Sequence, residues 1–411
     1  MHQNMFKLPL LLLLFLMGAC IQQAEAAGID VISLGSLVPP QLIETFKSEH
    51  PEIKVTVRPP ATDYDDLTQR LLRDNVTGTA PDVIFQGYNR AELTIRRGLV
   101  LPLSPFLTED KPWAESSYHA ISDDLCRTDG KLYGLPFIIS VPIIYYNAEL
   151  VRQAGGDPDH LPQTWPEITA LAAKITALGA NRIGGFFDYA AAGNWTFMAL
   201  IESQGGRMMS ADDRSITFNG PDGLRALEIV RDFGKAGQVD MPREQAYQAF
   251  SAGTIGMIVT SSGFLKTQLK QVKFDLRTTP IPIVDKGRLP VGGNCVMMVT
   301  RKPEHQKAAW TFMKFVASPP AQNIVSDVTS YLPGNQIAIA ALEASTPPTD
   351  PRMAAIRAAG KAGGWYSFPG DNSLRITDRI RLLLQDVVTL RRSPEDAMKA
   401  MTEAVEQLLP K

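Results

Sequence analysis

The chain has 411 residues, 45% hydrophobic and 20% charged, with 30 Pro and 31 Gly. That is ordinary globular composition; it excludes a disordered, collagen-like or coiled-coil chain, and the length suits roughly two or three domains, each burying its own core. Forty-one Lys and Arg against 43 Asp and Glu leave a net charge of −2, so no basic excess exists to neutralise a nucleic-acid backbone, and three cysteines are too few for a disulfide scaffold.

At the amino terminus Lys7 precedes an apolar run from Leu8 to Met17. That run is too short to cross a bilayer core of about 30 Å. Ala24-Glu25-Ala26 then supplies a small-x-small cleavage pattern, so residues 1–26 are expected to be a secretory signal. The alternative is a lipoprotein signal acylated at Cys20, for which Met17 is a poor first residue. No later apolar run reaches membrane length, and the rest of the chain is expected to be soluble. Cleavage removes one Lys and one Glu, leaving the charge at −2. Cys126 and Cys295 then remain in an oxidising compartment. Sequence alone does not bring their Cα atoms together, and they are expected to be two buried thiols.

Ile29 to Ser33 reads as a short strand. Pro39-Pro40 opens a helix whose Leu42, Ile43 and Phe46 share a face. Ile53, Val55 and Val57 alternate with polar residues at strand period, Tyr64 to Arg73 is helical, and Pro81 to Phe85 is a buried strand. Strand, helix, strand, helix, strand implies parallel pairing in an α/β layer. Further on, Thr164-Trp165-Pro166-Glu167 is a capping box, followed by Ile168, Leu171, Ala172 and Ile175 on one stripe. Glu304 to Ala317 and Arg375 to Leu390 have helical period. Ser393-Pro394-Glu395-Asp396 starts a last helix with Met398, Met401, Val405 and Leu408 aligned. No repeat is evident and no linker divides the chain, which points to interleaved lobes crossed more than once.

Motifs for catalysis are missing: there is no nucleophile elbow, Walker loop, dinucleotide glycine fingerprint or His-Glu-x-x-His. His50, His119, His160 and His305 are scattered without metal-ligand spacing. Ser261-Ser262-Gly263 has no sequence-adjacent base, Asp123-Asp124 reads as a solvated turn, and Glu395 and Asp396 complement a helix dipole. No cofactor and no metal is expected. The remaining enzyme alternative is a secreted hydrolase whose carboxylate pair assembles only in three dimensions.

Several segments resemble extracellular solute-binding proteins of ABC importers, the broad family that includes maltose-binding proteins. They are Asp129 to Phe137 (DGKLYGLPF), Tyr145-Tyr146-Asn147, Pro162-Gln163-Thr164-Trp165, and Phe250-Ser251-Ala252-Gly253 leading to Gly256-Met257. The resemblance runs in order over essentially the whole chain after the signal. It implies an α/β fold of the periplasmic-binding-protein type II kind: two interleaved lobes joined by hinge crossovers, with a ligand cleft between them. The lobes are expected at 27–138 plus 291–330 and at 139–290 plus 331–411. It also implies a monomer in the periplasm that binds a small molecule, meets permease subunits at the inner membrane, and has no nucleic-acid partner.

Within the family the likeness is greatest to members that bind sn-glycerol-3-phosphate. On that likeness the ligand-binding residues are Tyr64 of Thr62-Asp63-Tyr64, Ser140 of Pro136 to Ser140, Ser261 of Thr260 to Gly263, Gly293 of Val291-Gly292-Gly293, Tyr331 of Tyr331-Leu332-Pro333, Arg375 of Ser373-Leu374-Arg375, and Trp195. Asn89 stands where those members have a glutamate, and a second pocket tryptophan is replaced within 189–193. Both changes touch the glycerol end of the ligand. The implied ligand is sn-glycerol-3-phosphate or a glycerophosphodiester; the alternative is a neutral mono- or oligosaccharide.

The residue types suit that work. Arg375 lies near a helix start, where a cation opposes the macrodipole and an anionic ligand would relieve the conflict. Its other reading is a solvated Arg, or one paired with Asp378. Gly293 lets backbone approach a ligand, or simply makes a turn. Ser140 and Ser261 offer hydroxyls to a ligand or to local backbone. Tyr64 and Tyr331 offer a ring face and a hydroxyl, Trp195 a stacking surface or core filling, and Asn89 a neutral hydrogen-bonding group. Trp365, Tyr366 and Phe368 either line the cleft or pack their loop down.

Overall fold

The computed structural model describes residues 27–410 except 118, 123 and 180. The expected signal segment with Cys20, and Asp123 of the expected acidic turn, lie outside the described residues. In chain order the strands are β1 (Ala27–Ile32), β2 (Ile53–Val57), β3 (Val83–Gly87), β4 (Arg127–Thr128), β5 (Lys131–Leu132), β6 (Gly134–Ser140), β7 (Pro142–Asn147), β8 (Ile183–Phe187), β9 (Ile255–Ser261), β10 (Leu276–Pro280), β11 (Leu289–Pro290), β12 (Gly292–Met298), β13 (Leu332–Pro333) and β14 (Ala362–Gly363).

Two sheets carry the architecture. The six-stranded sheet has the order β13-β6-β12-β3-β1-β2, and the four-stranded sheet β10-β7-β9-β8. In the first, β1 runs parallel to β2 and β3, as the alternation of strands and helices requires. The helix Pro40–Glu49 buries Leu42, Ile43 and Phe46, and Tyr64–Thr77 starts where Asp63 accepts hydrogen bonds from the amides of Asp65 and Asp66. The strand β12 enters antiparallel between β3 and β6. Every residue of β6 and β12 is buried, so neither can alternate polar and apolar faces. In the second sheet the helix Trp165–Thr176 begins with the predicted capping box, both arms of which are formed, and buries Trp165, Ile168, Leu171, Ala172 and Ile175.

The chain passes from the first sheet to the second between β6 and β7, and returns into β12. The sheets place these crossings later than expected. Ser140 still belongs to β6, and Leu332–Pro333 pairs with Ile139 and Ile138 at the edge of the first sheet. The break expected after 138 therefore cuts β6 in two, and the break after 330 takes β13 out of the sheet that hydrogen-bonds it. Beyond β13 the helix Met353–Ala359 packs on β10 and the chain has reached the second sheet.

Cys126 and Cys295 form a disulfide with Cα atoms 5.9 Å apart, which corrects the expectation of two thiols. The reason is topological. β12 carries Cys295 alongside β6, and the β4–β5 hairpin that follows Cys126 leads directly into β6. Cys126, in the turn before β4, and Cys295, on β12, reach the same place from distant parts of the chain.

Candidate functional site

The gap between the two sheets collects all the predicted site residues except Arg375. On the first side β3 ends at Gly87, where a Cβ would lie 2.5 Å from the Tyr64 ring and 2.8 Å from Asn89 Oδ1. Bare backbone there lets Tyr64 and Asn89 close over the strand end. Asn294 donates from Nδ2 to the Tyr64 hydroxyl at 3.2 Å. Burial, with the Tyr331 phenol close by, pushes the Tyr64 pKa up, and burial does the same to Tyr331 against a downward pull from Arg243. Both phenols therefore stay neutral donors.

On the second side Trp195 donates from Nε1 to the carbonyl of Pro290 at 2.8 Å, and its ring lies 6.0 Å from that of Trp365 at 50°. Gly193 sits between the walls: a Cβ there would meet Trp365 at 3.3 Å and Asn89 Nδ2 at 3.6 Å. Ser140 and Trp195 both flank Gly292, at 2.7 and 3.6 Å from its would-be Cβ. Ser261 ends β9, its hydroxyl accepting from the Gly263 amide at 3.2 Å, and the Tyr331 ring covers Gly263. Gly293 has φ +117°.

Arg375 is elsewhere. The helix Ser373–Val388 buries Ser373, Ile376, Ile380, Leu384, Val387 and Val388, which turns the neighbouring Arg375 outward. Its guanidinium donates to Asn372 Oδ1 at 3.2 Å and lines a groove with Arg379, Leu383, Ala404 and Leu408 between the last two helices. Asp378, its expected alternative partner, lies 3.6 Å from Arg381 instead. The aromatic cluster before it divides: Trp365 faces the gap, Tyr366 donates to Asp213 Oδ1 at 2.9 Å, and Phe368 is buried against Tyr366.

Several residues of the gap were not anticipated. Asp188, at the end of β8, is 1% exposed; its Oδ2 accepts from Thr260 at 2.9 Å and Tyr247 at 3.3 Å and lies 2.9 Å from Arg243 Nε. Burial would lower the Arg243 pKa, but Asp188 and Tyr247 outweigh it and the guanidinium is held charged. Asn194 and Asn294 are also buried in the gap. The available signal was positional: Asp188 and Thr260 are polar residues at the ends of buried strands, where α/β sheets gather ligands.

Four polar atoms around Gly193 and Tyr64 are buried without a protein partner among the described residues: Oδ1 of Asn89, Asn194 and Asn294, and Nε1 of Trp365. Each such group costs about 1–3 kcal/mol unless something pairs with it. Among the described residues no cluster of His, Cys, Asp and Glu is placed to hold a metal ion.

Beyond Trp365 the gap widens into a cavity of about 390 Å³ with Tyr88, Cys126, Met208 and Glu202 on its walls. The ion pair Asp124–Arg288 on its wall, and the pair Arg97–Asp371, join the two sides. These are exposed pairs, worth less than about 1 kcal/mol each. Burial pushes the Glu202 carboxyl up to about 8, against the pull of Arg288 and Arg207. A carboxyl raised in the folded state keeps its proton longer there than in the unfolded chain. Its contribution to stability is complete below the ordinary carboxyl pKa and is lost as pH rises towards 8. Glu202→Gln is therefore expected to melt with the wild type near pH 4.5 and above it at pH 8, by about 1–3 kcal/mol. Thermal melts from pH 4.5 to 8.5 check this, and a pH-independent difference contradicts it.

The profile of the bacterial extracellular solute-binding proteins matches residues 41–355. A binding protein of Brucella abortus (strain 2308) is 26% identical over 306 residues, 71% of either chain. The sn-glycerol-3-phosphate-binding periplasmic protein of Salmonella paratyphi A is 24% identical over 301 residues, 68% of either chain. Among solved structures, the cyclic alpha-maltosyl-1,6-maltose binding protein of Arthrobacter globiformis superposes with a TM-score of 0.76 at 18% identity, covering 93% of this chain and 98% of that one. A Mycobacterium tuberculosis protein in complex with glycerophosphocholine gives 0.77 at 21% identity, with the same coverage. At such identities the likeness establishes the fold, of the periplasmic-binding-protein type II kind, and leaves the ligand to be argued from the gap itself.

Proposed function

The chain belongs to the bacterial extracellular solute-binding proteins, and from that premise we propose that it captures sn-glycerol-3-phosphate or a glycerophosphodiester between its lobes and hands it, unaltered, to an ABC importer. As a family member it is the solute-binding component of such an importer, and its partners are a small molecule and a permease. The proposal places it as a monomer in the periplasm, delivered by the amino-terminal signal.

The observation that carries the ligand class is the set of buried, unpartnered groups. Three amide oxygens and one indole N–H are buried without a partner around Gly193 and Tyr64. Amide oxygens accept, so they call for hydroxyl donors, while the indole calls for an acceptor. A glycerol moiety supplies both. Asn89, neutral where a carboxylate stands in the glycerol-phosphate binders, still reads hydroxyls but forms no salt bridge. Tyr331 and Ser140 offer further hydroxyls to the remainder of the ligand. Contact with both walls is possible only when they are close, so binding shifts the population towards the closed form.

A neutral sugar is the second reading. The same unpartnered atoms suit sugar hydroxyls, and Arg375 lies outside the gap. Isothermal titration with glycerol-3-phosphate, glycerophosphocholine, glycerol and maltose separates the two. Micromolar binding, about −8 kcal/mol, is expected for the phosphate esters, with glycerol far weaker. Binding of maltose alone overturns the first reading in favour of the second. Recovery of a chemically changed ligand overturns both and supports a hydrolase.

A further inference from the structure

We propose that Arg243 is the anion anchor of the cleft, the role that the sequence resemblance gives to Arg375. The inference rests on the glycerol-phosphate reading and names the residue that makes it possible.

Arg243 opens the helix Arg243–Ser251 and its side chain is 33% exposed. It lies beside the gap: Tyr247, which shares Asp188 with it, stacks on Phe264 at 3.8 Å next to the Gly263 that Tyr331 covers, and the Arg243 charge acts on the Tyr331 phenol. The guanidinium is held from behind. Its Nε lies 2.9 Å from Asp188 Oδ2, and Asp188 is itself fixed by Thr260 and Tyr247. Among the described residues no hydrogen bond occupies the Nη edge. The Nε contact is an ion pair without hydrogen-bond geometry; it holds the charge beside Asp188 and leaves the N–H groups of the planar fork unpaired among the described residues. The exposed edge of a permanently charged fork is what a phosphate recognises through paired hydrogen bonds.

Two carboxylates weigh against the charge. Asp188 neutralises part of it, and Glu244 is the next residue in the chain. Asp188 already accepts two hydroxyl hydrogen bonds, so its charge is dispersed before a ligand arrives. Glu244 is exposed and screened by solvent. The neutral phenol of Tyr331 adds a donor near the fork. Asp188 is thus a positioning residue, acting on the ligand through Arg243.

The test is titration of glycerol-3-phosphate, glycerol and maltose into wild type, Arg243→Gln, Arg243→Lys and Arg375→Gln. Arg243→Gln is expected to weaken glycerol-3-phosphate roughly 100-fold and leave glycerol unchanged. Arg243→Lys should recover part of the loss, as a point charge without the fork. Arg375→Gln should stay within about twofold of wild type. Arg243→Gln alone leaves a buried carboxylate unpaired and can unfold the protein. The double variant Arg243→Gln/Asp188→Asn removes both charges together, and the same loss is expected from it in a protein that melts cooperatively. Wild type that binds the phosphate ester, with either folded Arg243 variant binding it equally well, overturns this proposal alone. Wild type that binds only maltose overturns the glycerol-phosphate reading beneath it.

Discussion

Replacing Cys126 and Cys295 together by alanine is expected to lower the melting midpoint by roughly 10 °C or more. The bridge spans 169 residues of sequence. In the chain-entropy account, closing so long a loop restricts the unfolded chain by about 5 kcal/mol, near the top of the usual range for one disulfide. For a lobe of this size each kcal/mol moves the midpoint by about 2–4 °C. The loop also includes the whole of the second sheet, so the bridge ties the segment before the first crossing to the strand that follows the return. Both cysteines are buried, which makes substitution a cleaner test than reductant. A double variant melting within a degree or two of wild type shows that the unfolded chain gains nothing from losing the tie. Cys126 also walls the cavity beyond Trp365, so the same variant is expected to bind ligand more weakly as the loop loosens.

The bridge marks the boundary of what the chain discloses about its fold. The local elements were legible because each rests on neighbours in sequence: Leu42, Ile43 and Phe46 on one helix face, Thr164 and Glu167 in one cap, Ile53 and Val55 facing one core. Parallel pairing of β1 with β2 and β3 follows from those elements and the helices between them. Where β12 inserts is a different kind of fact. It runs antiparallel between β3 and β6, strands that precede it by most of the second lobe, and nothing local to Gly292–Met298 selects them. The disulfide and the exact crossing points depend on that insertion. Leu332–Pro333 is likewise too short to announce itself, and becomes a strand only because β6 offers an open edge.

The site divides along the same line. Tyr64, Asn89, Ser140, Trp195, Ser261, Gly293 and Tyr331 were picked out by resemblance, and the structure gathers them around one gap. Arg375 was picked out the same way against a pattern visible in the sequence. Ile376, Ile380, Leu384 and Val387 form a helical stripe that carries Arg375 off the buried face. Arg243 had no such signal. Its meaning comes from Asp188 and Tyr331, which only the fold brings to it.

Gly293→Ala is expected to cost roughly 3 kcal/mol or more and to weaken ligand binding at least tenfold in whatever protein remains folded. At φ +117° an L side chain is strained whatever space surrounds it. Here there is also none: a Cβ would lie 2.0 Å from the Ile138 carbonyl oxygen. That oxygen cannot step aside, because β6 is paired with β12 on one edge and β13 on the other, and the Tyr88 hydroxyl donates to it at 3.1 Å. The added methyl must therefore push β12 away from β6 where Ser140 and the first crossing lie. Gly292→Ala is the informative control. Its added methyl meets Ser140 Oγ at 2.7 Å, the end of a side chain that can rotate, and its backbone is not in the left-handed region. It should stay within about 1 kcal/mol in stability while still disturbing ligand contacts at Ser140. Urea unfolding with titration on both variants distinguishes them. Equal, small losses at both positions contradict the view that the backbone of β6 and β12, rather than the side chains upon it, fixes the width of the cleft.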